Sequence, residues 1–336
     1  MATLKEIASA AGVSTATVSN VINGNHKRVS EETVARIQAL IHELGYVPNQ
    51  AARSLAQRES RFIAIIVQSS SPDENVFLNP YNSAYIGALT INLYKKGFFP
   101  LIRITDDFRT VEQDIRGWNV AGALFNGSFS RHLKNIESLA SIPCVFTDCY
   151  FDLPGINHVQ LDDKAGGRIA GDYLFQMGHR RIAFIANALE DSDVDKQRLL
   201  GLRDALGRHS LTVPDRWVLP SGNIGAQRDR LSDMLLSPDG PTVYFCSADK
   251  IAVELMDMIR ALGLRIPEDI SVLGFDNLPL NILAVPRLTT IAQDIDQKAM
   301  VSVDLLVRHI ENKALSPERV ILGVSLVERE SVRQLA

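Results

Sequence analysis

Cysteine is scarce in this chain of 336 residues, and so are features that would cross-link it, anchor it or export it. Cys144, Cys149 and Cys246 are odd in number and lack metal-ligand spacing, which excludes a disulfide framework and a zinc site. Cys144 and Cys246 fall in apolar, strand-like runs, where buried inert thiols are expected. No His or Asp is placed by sequence to activate a cysteine nucleophile. No run reaches the roughly 18 uncharged apolar residues of a membrane span. Lys5 and Glu6 interrupt the N-terminus, so the layout of a signal peptide is missing; a cytoplasmic protein with no membrane partner is expected. No G-x-G-x-x-G follows the first strand-like run, where Gln68-Ser69-Ser70-Ser71-Pro72 stands instead, and no P-loop occurs. A nucleotide-dependent enzyme is therefore not expected, and neither a metal nor a cofactor is called for.

A strong excess of charge is absent too. Lys and Arg number 35 against 39 Asp and Glu, a net −4. Residues 1–60 hold Lys5, Lys27, Arg28, Arg36, Arg53 and Arg58 against five Glu, a net +1 that leaves −5 for the remainder. Bulk charge cannot supply nucleic-acid affinity, which has to come from where the charges sit and from two copies of the chain. At 46% hydrophobic and 22% charged the composition is globular, and the length suits two or three domains.

What is present starts at once. In TLKEIASAAGVSTATVSNVING, Leu4, Ile7 and Ala8 recur at helical spacing, as do Val18, Val21 and Ile22. Thr3 and Glu6 have capping-box spacing, Gly12 suits a left-handed turn, and Ser14 suits the N-cap of a second helix. Two short helices joined by such a turn have helix-turn-helix spacing. The exposed face of the second helix carries Thr15, Ala16, Thr17, Ser19, Asn20 and Asn23, all small or hydrogen-bonding and none a long carboxylate. A helix entering a major groove needs such residues, although a helical hairpin with a solvated polar face has the same periodicity. Lys27 and Arg28, in the loop that follows, suit phosphate contacts. Ser30 opens a third helix with the stripe Val34, Ile37, Leu40, Ile41 and Leu44, and Gly45 closes it.

Tyr46-Val47-Pro48 breaks the helix, and Asn49 can cap the short segment 50–56. A helix well below about a dozen residues is marginal alone, so this one orders only when DNA or a partner copy stabilises it. From residue 61 strand-length apolar runs recur: Phe62–Val67, Pro100–Ile104, Ala121–Phe125, Cys144–Thr147, Ile182–Ala186, Val243–Cys246 and Val272–Phe275. Helical stretches separate most of them, for example Tyr85–Lys96, Ala165–Met177, Gln197–His209 and Ile251–Leu262. The alternation predicts two doubly wound α/β domains, with a break near Asp162 and a ligand cleft at the carboxyl ends of the strands. Asp162, Asp249 and Asp276 lie just past strand-like runs, Tyr81 at the first strand–helix junction, and Arg198 at the start of an amphipathic helix 198–206. Each aspartate could instead cap a helix, least readily Asp276, and Arg198 could instead form a surface ion pair.

The headpiece, the YVPNQAARSLA linker and the pattern ending GFDN…PRLTTI together resemble the LacI/GalR repressors over essentially the whole chain. The resemblance implies a homodimeric repressor of a near-palindromic double-stranded operator. It implies an all-α helix-turn-helix headpiece (1–46), a hinge-helix linker (47–60), and an α/β core (61–336) like a periplasmic sugar-binding protein. The core divides roughly into 61–161 with 292–322 and 162–291 with 323–336. Thr15, Ala16 and Asn20 match base-reading positions, and Ser14, Thr17 and Ser19 match positions near phosphates. Leu55, with Asn49, Ala52 and Arg53 nearby, matches the hinge wedge that enters the minor groove. Tyr81, Asp162, Arg198 and Asp276 match effector contacts, with Asp249 beside them, and Ile224 aligns with an aromatic platform site.

The chain departs from the family at several places. Ala248-Asp249 replaces the Asn-Asp of sugar-responsive members. Glu190–Asp195 is acidic, without the arginine of purine-responsive members, and Thr105–Val120 is several residues short. These differences argue against a purine and leave a sugar, a polyol or a cationic ligand open, with a sugar or related polyol the main expectation. With no leucine heptad tail after Arg333, a dimer is expected. A solute-binding protein is the alternative that the core alone permits.

Overall fold

The computed structural model describes residues 2–22, 24–46, 60–127, 142–150, 156–186, 189, 193–220 and 224–335. It divides into two compact units, Met1–Ser60 and Arg61–Ala336. In the first, α1 (Leu4–Ala11) begins at a complete capping box: the Thr3 amide donates to Glu6 Oε2 at 2.7 Å, and the Glu6 amide donates to Thr3 Oγ1 at 3.3 Å. Gly12 ends it at φ +65°, a left-handed turn that an L side chain would strain. The amide of Thr17 then donates to Ser14 Oγ at 3.1 Å, which opens α2 (Thr15–Ile22). Ser30 caps α3 (Glu31–Glu43) in the same way. Ile7, Ala8, Ala11, Val18, Val21 and Ile37 make one shared core. Leu44, expected in the stripe of α3, is instead the exposed residue after its last turn.

In the second unit β1 (Phe62–Gln68), β2 (Phe99–Thr105), β3 (Gly122–Asn126), β4 (Cys144–Thr147) and β5 (Asn157–Leu161) come first, with α4 (Pro80–Lys95) and α5 (Val111–Gly117) between strands. Then follow α6 (Asp163–Gln176), β6 (Ile182–Ala186), α7 (Asp193–Gly207), β7 (Val218–Pro220), α8 (Arg228–Leu236), β8 (Val243–Cys246), α9 (Asp249–Ala261), β9 (Ser271–Asp276) and β10 (Thr289–Ala292). The chain closes with α10 (Ile295–Glu311), β11 (Arg319–Leu322) and β12 (Ser325–Val327). One sheet has the order β11-β5-β4-β3-β1-β2, all parallel. The other has the order β12-β10-β9-β8-β6-β7, parallel except for β12, which runs antiparallel to β10. Ile63 to Val67 are fully buried because helices cover both faces: Leu89 of α4 and Val303 of α10 cluster on one side, Val111 and Ile115 of α5 on the other.

The chain passes between the sheets three times: from β5 to α6, from β10 to α10, and from β11 to β12. Helix α7 starts at Asp193, so Asp193 and Asp195, expected in an acidic loop, form its first turn. Carboxylates are favoured there by the partial positive charge of a helix N-terminus. Among the described residues no helix is long and apolar enough to cross a membrane.

Candidate functional sites

In the headpiece α2 turns Val18 and Val21 inward and leaves Ser14, Thr15, Ala16 and Asn20 exposed, with Thr17 and Ser19 half-buried beside them. The hydroxyls of Ser14 and Thr17 lie 2.9 Å apart, so the N-cap also fixes a rotamer on that face. Short side chains at 15 and 16 allow close approach, and the Asn20 amide can both donate and accept at a base edge. Lys27 stands exposed on the single turn His26–Arg28 just after α2. The side chain of Arg28, and Asn23, Asn49, Ala52, Arg53 and Leu55 entirely, lie outside the described residues.

In the core the cleft residues gather at the carboxyl ends of the strands. Arg198 is not at the start of its helix but in the second turn of α7, 6% exposed. Its Nε donates to Asp163 Oδ1 at 2.7 Å, one Nη donates to the Ser247 carbonyl, and the same Nη stands 3.9 Å from Asp276 Oδ1. The guanidinium also stacks over the Phe275 ring, 3.5 Å from its centroid. Burial works against this cation, but Asp163, Asp276 and Asp195 outweigh it and raise the Arg198 pKa. Both carboxylates go the other way in charge: burial raises the pKa of Asp163 and of Asp276, the latter to about 8, against the pull of Arg198, and the charge of Asp249 adds to the rise at Asp276.

Two helices must meet very closely to seat Arg198 on Asp163. A Cβ at Gly167 of α6 would sit 2.0 Å from the Arg198 carbonyl oxygen, and one at Gly201 of α7 would sit 2.0 Å from that of Lys164. The glycines let the backbones touch, and the ion pair follows. Asp162 caps α6 through the Ala165 amide at 2.8 Å and remains half-buried next to Asp163.

Asp249 is neither a cap nor open to the cleft. It is the first residue of α9, fully buried, and its carboxylate accepts from the Leu278 amide, Asn281 Nδ2 and Thr290 Oγ1 at 2.8, 2.7 and 2.6 Å. It thereby pins the turn in which Asp276 and Asn277 take left-handed φ values of +117° and +59°. Ile224 is packed into the hydrophobic cluster of the second sheet with Leu219, Leu231 and Ile251. Neither side chain joins the Arg198 group.

Several residues of the cleft gave no sign in the sequence. Gln293, in the second crossing, donates to Asp276 Oδ1 at 2.6 Å, while its Oε1 is buried with no partner among the described residues. Ser247 Oγ, at the end of β8, is in the same condition. Buried polar atoms are nearly always paired, so two orphans beside one buried arginine mark a place for a ligand's hydroxyls or a water. In the first half of the core, Tyr81 donates to Asp148 Oδ2 at 2.9 Å and accepts from Lys298 Nζ at 2.7 Å. Beside the crossings a cavity of about 480 Å³ opens between Ala84 of one half and Asn277 and Gln293 of the other. Asp163 had a visible cue, being the second aspartate of HVQLDD; Lys298 had none, since a lysine on an amphipathic helix reads as solvated.

Residues 3–49 match the lacI family of bacterial regulatory proteins, and residues 172–332 match the periplasmic binding protein-like domain. The chain is 31% identical to the ribose operon repressor of Haemophilus influenzae over 345 aligned positions, covering 100% of both proteins. This chain belongs to the LacI family. The LacI-family assignment extends to HTH-type transcriptional repressor PurR of Proteus mirabilis, 32% identical over 99% of this chain and 97% of that protein. Among solved structures, the lac repressor dimer bound to operator and the anti-inducer ONPF superimposes with a TM-score of 0.85 at 26% identity, covering 99% of each chain. The protein is thus a LacI-family repressor with a DNA-binding headpiece and an effector-binding core, and not an enzyme. The match over the headpiece sets aside the solute-binding alternative.

Proposed function

We propose that this repressor binds a near-palindromic operator as a homodimer and is controlled by a neutral sugar or related polyol held between the two halves of its core. The observation that carries the effector reading is Arg198, buried between Asp163 and Asp276 with the unpaired Gln293 Oε1 and Ser247 Oγ beside it. A hydroxyl both donates and accepts, so adjacent hydroxyls can accept from the arginine and donate to the carboxylate and to the carboxamide oxygen. The names of the ribose operon repressor and of the lac repressor–operator complex point the same way for the ligand class and for the DNA.

Dimerisation is supported by apolar side chains that the single chain leaves bare. Ile282, Leu283 and Val285 follow β9, with Leu283 79% exposed, and Ile91 and Tyr94 share one face of α4. In the headpiece Thr15, Ala16 and Asn20 read bases, while Ser14, Thr17, Ser19, Lys27 and Arg28 hold phosphates. Asn49, Ala52, Arg53 and Leu55 form the hinge that orders on DNA, a reading that rests on the sequence. Effector binding shifts the population of two arrangements of the core halves by as much as its affinities for them differ.

The test is a band-shift series with a symmetric operator library, run on the full chain and on residues 61–336, with D-ribose and a panel of neutral sugars and polyols. The full chain should bind with steep salt dependence, and one neutral ligand should change its affinity by at least about tenfold, the usual scale of effector coupling. Salt-independent binding, or no response in the panel, would count against the proposal.

A further inference from the structure

The first half of the core contains a second buried cation that the reading above leaves without a task. Lys298 lies near the start of α10, and its side chain is 0% exposed. Its ammonium donates to a carboxylate oxygen of Asp148 and, at 2.7 Å, to Tyr81 Oη. The rings of Tyr81 and Tyr85 stack at 5.9 Å, and the ammonium lies 5.3 Å from the centroid of each. Farther back, Tyr85 Oη is 3.0 Å from Ser302 Oγ, which donates to the Lys298 carbonyl at 2.8 Å.

The place is as telling as the contacts. Asp148 follows the last residue of β4 at φ +62°, and Tyr81 opens α4 after β1, so both stand where ligands meet parallel sheets. Asp148 keeps 14% of its side chain exposed, and charges reach across the cleft: Asp276 acts on Tyr81, and Lys298 on Asp276. A carboxylate, a phenol and two aromatic faces are the set by which proteins capture ligand amines. Here the amine is part of the chain. Stability alone does not explain it, because an apolar side chain of similar volume commonly serves as well as a buried ion pair.

We infer that Lys298 is a built-in occupant of a cation site in the floor of the effector cleft, and that it makes the cleft accept a neutral polyhydroxy effector and refuse one carrying an ammonium group. The inference rests on the effector reading of the cleft and sharpens it. Asp148 keeps lone pairs for a ligand hydroxyl, whereas an incoming ammonium meets a like charge already bound to the same carboxylate.

The experiment follows thermal unfolding of the full-length protein with n-butylammonium chloride or D-glucamine hydrochloride, against sodium chloride and D-glucitol at equal concentration. Lys298→Ala should gain about 3 °C from either amine, as a folded-state ligand at roughly ten times its Kd produces in a chain of this size. Wild type should gain nothing specific to the amines, and Lys298→Ala combined with Asp148→Asn should lose the gain. Lys298→Met keeps the bulk of the stem and provides the same readout for D-glucamine if the alanine variant does not fold.

D-glucamine is too long for the space of one lysine side chain, so its effect requires that the site open into the cleft. Stabilisation of Lys298→Ala by n-butylammonium alone would show a sealed structural ion and overturn the inference. So would an equal response of wild type to D-glucamine, or silence of both single variants. Wild type that ignores every neutral ligand while the amine pattern holds would remove the effector reading and leave the cation site standing.

Discussion

Among single residues, Arg198 concentrates the most consequence in the least space. Arg198→Met keeps the stem but strands two buried carboxylates, Asp163 and Asp276. It should cost about 3 kcal/mol in urea unfolding and abolish the response to the neutral effector. An unchanged effector response would mean that the ligand is held elsewhere. His179 sets a different balance. Its ring nitrogens lie 2.9 Å from Thr242 Oγ1 and 3.2 Å from the Arg333 carbonyl oxygen, and burial pushes its pKa from 6.5 down to about 4. A lowered folded pKa means that the neutral ring is the native form, so stability is complete above pH 6.5 and is lost as pH falls through 4. The loss should reach about 3 kcal/mol, and His179→Gln should flatten that part of the stability–pH curve.

At this scale the sequence was only partly readable. Arg198 and Asp276 could be picked out because each follows from strand–helix punctuation, and they do stand together. Asp249 satisfied the same local rule yet faces inward, since position beside a strand end does not tell which way a side chain points; Ile224, named from the family resemblance alone, is packed in the core as well. Gln293 and Lys298 had no local signal at all; their roles arise from crossings that bring distant segments together.

Between elements, the contact of α6 with α7 controls the cleft from behind. Gly201→Ala would place a methyl 2.0 Å from the Lys164 carbonyl oxygen, so one helix must move. We expect about 2 kcal/mol of destabilisation together with weakened effector binding, measured by urea unfolding and calorimetric titration. Loss of stability with unaltered ligand affinity would separate the helix crossing from the site. The central strands were legible for a simple reason. Cys144–Thr147, Ile182–Ala186 and Val243–Cys246 are buried on both faces and therefore read as unbroken apolar runs. The edge strands β7, β11 and β12, of three or four residues and partly exposed, lack that signature. The antiparallel return of β12 is likewise set by the last crossing rather than by its own residues.

For the molecule as a whole, the bare apolar segment after β9 and the bare face of α4 predict that one chain is not the working unit. Leu283→Arg should shift the protein to monomer in size-exclusion chromatography. It should also weaken operator binding by about 100-fold, because two linked headpieces gain an avidity that a single one lacks. A dimer that survives the substitution would place the seam elsewhere. Net charge is too small to rescue a lone headpiece, since the first 60 residues carry only +1.

The threefold passage of the chain between the sheets bears on how such a protein can be rearranged. A headpiece joined through one stretch of backbone can be exchanged for another by a single recombination event, giving a new address on the chromosome under the old chemical control. The halves of the core have no comparable seam: a break anywhere between β5 and β10 leaves the first sheet without β11, which is encoded after β10 of the other sheet. Chimeras spliced near residue 60 should therefore be viable far more often than chimeras spliced within the core, and diversity in ligand choice has to accumulate by point substitution.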